Sequence, residues 1–192
     1  GYLLNKNRTV KVDRNTIFSC NIKDVSKSTY GILNCRAKPE TEIESSKNNM
    51  QPIVFKKNKS YKGIVHNGSL SESYVKSIYQ KYKHKPITDI DSEALLVDII
   101  KNGLSRELLE NIDGGFSFIY TDYDGKNLNF YVACKYQPLF MAEVTLIRNN
   151  QKSIYYYFHS CKEGIDEISL HFKSLKTHDL IVVVNEKEFE PY

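Results

Sequence analysis

Three short segments hold most of the side chains that can do chemistry: Asn34-Cys35-Arg36-Ala37, His66-Asn67-Gly68 and Asp89-Ile90-Asp91-Ser92-Glu93. They offer a guanidinium, an imidazole beside an amide and a glycine, and three carboxylates. The chemistry open to such groups is charge pairing, hydrogen-bond donation and proton transfer. Each segment also has a plain structural reading. Arg36 pairs with a surface acid, Asn67-Gly68 is a common turn dipeptide, and Asp91 caps a helix. Taken singly, each favours the plain reading; their order along the chain says more.

The four cysteines add no further centre. Cys20, Cys35, Cys134 and Cys161 form no Cys-x-x-Cys pair, and none stands with histidine at zinc-finger spacing. Such wide spacing reads as buried, reduced thiols in a cytosol-like compartment. No metal or organic cofactor is indicated.

Elements must position the three segments. A chain of 192 residues with 41% hydrophobic and 26% charged residues is long enough for one core without staples, so residues 1–192 read as a single domain. The longest apolar run, Leu180 to Val184, has a strand's length and not a membrane helix's. The net charge of +4 is spread along the chain, and Lys81, Lys83 and Lys85 with His84 read as a solvated helix end. Neither a nucleic acid nor a membrane is therefore an expected partner. The first residues carry no signal-peptide or myristoylation pattern, and a cytoplasmic location is the expectation.

Strands are predicted at Thr16 to Cys20 and Tyr30 to Cys35, with a short one at Ile53-Val54-Phe55 in an otherwise loop-like stretch from Glu44 to Lys62. Gly63-Ile-Val-His-Asn-Gly reads as an apolar run ending in a turn. Leu70, Tyr74, Ile78 and Tyr82 recur every four residues, which predicts a helix over 70–83 that Pro86 ends. A second helix over 92–102 buries Leu95, Leu96, Ile99 and Ile100 and stops at Asn102-Gly103. Ser105 to Asn111 is a short capped turn. Strands then follow at Phe116 to Thr121, Leu128 to Cys134, Ile154 to His159 and Leu180 to Val184, with a hairpin at Asp124-Gly125 and a short helix over Ile165 to Leu170. Strands, two helices, then mostly strands is an α+β order.

The three segments, in this order, resemble the class II glutamine amidotransferases, a family of N-terminal-nucleophile hydrolases. That family has an Arg-x-Ser/Ala element at a strand end, then His-Asn-Gly, then Ser/Thr-Asp-Ser/Thr-Glu opening a helix. The 24-residue step from Asn67 to Asp91 is typical of it. Ile112-Asp-Gly-Gly-Phe-Ser-Phe, Ala133-Cys-Lys-Tyr-Gln-Pro-Leu-Phe, Tyr156-Tyr-Phe-His-Ser and His178-Asp-Leu-Ile-Val resemble its later strands, so the likeness covers about residues 30 to 185.

The resemblance implies a four-layer αββα sandwich of two antiparallel sheets, with the two helices on one outer face. It implies glutamine as substrate, hydrolysed to glutamate and ammonia for a separate acceptor protein. Arg36 would grip the α-carboxylate and Asp91 the α-ammonium, with His66 on the substrate side. Asn67 and the N–H of Gly68 would form the oxyanion hole, where glycine leaves the approach of the amide open.

The family's nucleophile is an N-terminal cysteine followed by glycine, whose own α-amine is the base. Here Gly1-Tyr-Leu-Leu stands at that point. Two readings follow. In one, Gly1 is the glycine after that cysteine. In the other, the protein is an inactive relative with a ligand-binding or assembly role. Lys135 stands where the family has arginine, and its Arg-Gly-Pro-Asp helix has no clear counterpart.

Overall fold

The computed structural model describes residues 2–6, 9–13, 30–33, 49–175 and 180–189. The chain divides into two compact units, Gly1–Gly114 with Phe118–Val132, and Gly115–Ser117 with Ala133–Tyr192. The predicted strand at Thr16 to Cys20 lies outside the described residues, as do Asn34 to Ala37.

The first unit begins with β1 (Tyr2–Lys6), β2 (Thr9–Asp13) and β3 (Tyr30–Leu33), an antiparallel sheet with β1 in the middle. β4 (Ile53–Lys57) and β5 (Ser60–Leu70) form a hairpin in which Ile53 faces Ile64. Its turn runs through Asn58, at φ 54°, a left-handed conformation that asparagine tolerates. β6 (Gly114–Tyr123) and β7 (Leu128–Lys135) complete a four-stranded sheet in the order β4-β5-β6-β7. Their hairpin is the predicted one: Asp124 Oδ1 accepts the N–H groups of Lys126 and Asn127, both at 2.7 Å, and Gly125 takes φ 98°.

Helix α1 (Glu72–Tyr82) starts later than its apolar stripe predicts, because Leu70 still belongs to β5. The Ser71 hydroxyl accepts the Tyr74 N–H at 3.1 Å and caps it. The helix ends at Lys83, at φ 50°, before Pro86 is reached. Helix α2 (Asp91–Asn102) packs against α1, β4 and β5. Every residue from Ser92 to Ile99 is buried, so α2 is enclosed on nearly all sides and not merely along one stripe. Gly103, at φ 77°, supplies the predicted stop. Helix α3 (Arg106–Asn111) is capped by Ser105, whose hydroxyl accepts the Leu108 N–H.

The two helices are also tied by polar groups. Tyr74 donates its hydroxyl to Asp98 Oδ2 at 2.6 Å, and Asn102 Nδ2 donates to Asp98 Oδ1 at 2.6 Å. Across the four-stranded sheet, Lys62 pairs with Asp122.

The second unit contains β8 (Leu139–Arg148), β9 (Gln151–His159), α4 (Lys162–Ser174) and β10 (Ile181–Phe189). The sheet is antiparallel in the order β10-β8-β9. Asn149 and Asn150 both take positive φ and close the β8–β9 hairpin. Strand β8 is absent from the sequence expectations. From Leu139 to Ile147 it carries only Glu143 as a charged residue, so its period of two is nearly invisible. α4 covers one face of this sheet, over buried Ala142, Val144 and Val182. Its thirteen residues exceed the short helix expected at Ile165 to Leu170.

The α+β class with antiparallel sheets stands as expected. No described helix is long and apolar enough to cross a membrane. One expectation is corrected: Cys134 is buried, but Cys161 is exposed, because it precedes the first turn of α4 at the surface.

Candidate functional site

Strand β5 carries His66-Asn67-Gly68 within its last turns of pleat, and here the structure departs from the expected turn. The strand runs on to Leu70. Gly68 sits inside it at φ 142°, a conformation that side chains other than glycine's rarely adopt. Asn67 is exposed, whereas His66 before it is 4% exposed. Alternation along the strand puts the His66 ring on the Ile64 face, toward α2.

Asp91 does not cap its own helix. The N-cap of α2 is Ile90, without a side-chain cap bond, and Asp91 is the first helical residue. Its carboxylate reaches β5 instead: Oδ2 accepts the Leu70 N–H at 2.8 Å, and Oδ1 lies 3.8 Å from His66 Nδ1. Ser92 Oγ lies 3.0 Å from His66 Nδ1 and donates to Asp91 Oδ1 at 3.5 Å. The His-Asn-Gly and Asp-Ser-Glu segments therefore meet through His66, Leu70, Asp91 and Ser92. The Asp91 side chain remains 27% exposed. Arg36, together with Cys35 and Ala37, lies outside the described residues.

Two residues that the sequence reading passes over as loop organise this meeting. Gln51 donates Nε2 to the His66 carbonyl at 2.8 Å and to Ser92 Oγ at 3.1 Å, and its Oε1 accepts the His66 N–H at 2.5 Å. Asn49 accepts the Asp89 N–H at 3.0 Å and donates to the Asp89 carboxylate at 3.2 Å. Gln51 and Asn49 are both buried, although polar. Nothing in the sequence around Asn49 and Gln51 has a periodic form that marks them.

Glu93 shapes the approach to α2. It is fully buried and accepts Ile87 N–H at 2.9 Å, Thr88 N–H at 2.6 Å and His84 Nε2 at 2.6 Å. Burial alone pushes its carboxyl upward. The bonds to His84, Ile87 and Thr88 outweigh that and hold it below the ordinary carboxylate range. The carboxylate thus stays charged inside the fold and folds the 84–88 segment around itself. Tyr79 stacks obliquely on the His84 ring, and burial raises its hydroxyl well above the ordinary range.

No family model matches the chain, and no curated protein does.

Proposed function

We propose that this chain is a glutaminase domain of the class II glutamine amidotransferase type, on the αββα sandwich of the N-terminal-nucleophile hydrolases. The observation that carries this reading is the Asp91 carboxylate. It leaves the start of α2, skips its own cap position and docks on β5 two residues past Gly68. A partly exposed carboxylate docked on the strand that carries the exposed Asn67 amide and Gly68 suits an α-amino acid with a side-chain amide.

In this reading Asp91 holds the α-ammonium of glutamine. Asn67 and the Gly68 N–H receive the amide oxygen as it gains charge. The thiolate of a cysteine preceding Gly1 adds to the amide carbon, that cysteine's α-amine passes the thiol proton to the amide nitrogen, the carbon–nitrogen bond breaks, and ammonia leaves. Water then cleaves the thioester to glutamate. Losing one oxyanion donor costs about 10²–10³ in rate. Arg36 takes the α-carboxylate, and a separate protein accepts the ammonia.

The reading is tested by titrating glutamine into the protein in a calorimeter, with ammonia release followed in parallel on the natural mature protein. Saturable binding that weakens about tenfold or more in Asp91→Asn supports it, since a charge-assisted bond contributes about 1.5–3 kcal/mol. Absence of binding at about 10 mM glutamine, weaker than any ordinary amino-acid site, overturns it. Binding without ammonia release on the natural mature protein assigns the domain to ligand binding alone.

A further inference from the structure

Resting on that reading, we infer that Asn49 and Gln51 form a positioning bracket that sets the amide-binding strand and the ammonium-binding carboxylate in register. Gln51 clamps both backbone groups of His66, the residue immediately before Asn67. Asn49 clamps Asp89, two residues before Asp91. One residue, Met50, separates the two clamps, so three consecutive residues fix two segments that lie 15 and 40 positions away. The third bond of Gln51, to Ser92 Oγ, closes the bracket, because Ser92 follows Asp91 and contacts His66.

The two clamps act on different ends of the ligand. A side-chain amide that donates to a residue's C=O and accepts from its N–H bonds the two peptide groups flanking that residue and so restrains its φ and ψ. Fixing the backbone at His66, including the peptide that leads to Asn67, fixes the direction from which Asn67 and Gly68 meet an amide oxygen. Fixing Asp89 fixes the entry to α2, and with it the position of the Asp91 carboxylate. An ordinary buried amide would support folding evenly. This bracket makes a sharper demand: Gln51 governs recognition of the side-chain amide, and Asn49 governs recognition of the α-amino group.

The test compares glutamine with norvaline, which has the same five-carbon chain without the amide. Calorimetric affinities of both are measured for the wild type, Gln51→Met and Asn49→Leu, with circular dichroism on each. Gln51→Met is expected to lower the glutamine-to-norvaline affinity ratio about tenfold, the worth of one or two directed hydrogen bonds, with norvaline weakened far less than glutamine. Asn49→Leu is expected to weaken both ligands alike. Should Gln51→Met fail to fold, Gln51→Glu replaces it. That variant keeps the acceptor for the His66 N–H, loses both donations, and is expected to show a smaller fall in the same ratio. A ratio unchanged in a folded Gln51 variant, or equal weakening of both ligands by it, overturns the bracket while glutamine binding by the wild type leaves the glutaminase reading intact. A wild type that binds neither ligand overturns both.

Discussion

His84 and Glu93, nine residues apart, meet at 2.6 Å across the start of α2, with the carboxylate fully buried and the imidazole partly open to solvent. The pair closes the 84–88 segment onto the helix that carries Asp91. Its cost is borne by two backbone N–H groups as well as by the imidazole, which is why a buried anion is tolerated here.

This pair sets an acid limit on stability. The Glu93 carboxyl is held below its ordinary value in the folded protein. Its contribution is therefore complete above the unfolded carboxylate value of about 4.3 and is lost as pH falls through the lower folded value. Glu93→Ala should cost about 2–4 kcal/mol at neutral pH, because three donors lose a buried acceptor. Glu93→Gln should flatten the decline in melting temperature between about pH 5 and pH 3. Urea and thermal unfolding over that range measure both. An unchanged acid limb in the glutamine variant would remove Glu93 from this role.

Asp91 has two separable duties. It accepts the Leu70 N–H and, in the proposed reading, holds an ammonium. Asp91→Asn retains an oxygen for Leu70 and should stay within about 0.5 kcal/mol of the wild type in stability. Asp91→Ala leaves that N–H without its acceptor and should cost about 1–2 kcal/mol. Both variants should lose glutamine affinity. Unfolding curves and titrations on the same samples separate the two duties.

Gly68 and Asn67 should respond in opposite ways. At φ 142° a Gly68→Ala side chain is strained, with an expected cost of about 1–3 kcal/mol. Asn67 is exposed, so Asn67→Ala should leave stability within about 0.5 kcal/mol and lower turnover or amide discrimination instead. Equal loss of stability in both would contradict an exposed functional role for Asn67.

Tyr74→Phe tests the seam between α1 and α2. The variant removes a 2.6 Å bond to the buried Asp98 and leaves that carboxylate with Asn102. A loss of about 1–2 kcal/mol in unfolding free energy is expected, with glutamine binding unaffected.

Much of the local structure was legible because it depends on neighbours in the chain. The Ser105 cap, the Gly103 stop and the Asp124-Gly125 hairpin each follow from a residue's own backbone preferences and from bonds spanning a few positions. The same local logic misplaced the start of α1. Leu70 fits the helical stripe by period, yet its N–H is claimed by Asp91 and it stays in β5. It also read Asn67-Gly68 as a turn, when the glycine's freedom serves an extended strand. β8 escaped notice because a strand rich in apolar residues on both faces loses its alternation.

By itself the sequence determined the α+β order, the Ser105 cap and the Gly103 stop, and it marked out the two segments that meet at His66 and Asp91. Only the tertiary structure decided how they meet: Asp91 bonded to β5 and not to its own helix, Gln51 on His66, Asn49 on Asp89, and Glu93 charged within the core. The reason is physical. Periodicity and turn chemistry record φ and ψ preferences and the burial of one face, which act over a few residues. A side-chain amide or carboxylate that satisfies a backbone group 15 to 40 positions away does so by position in space, and that leaves no regular trace along the chain.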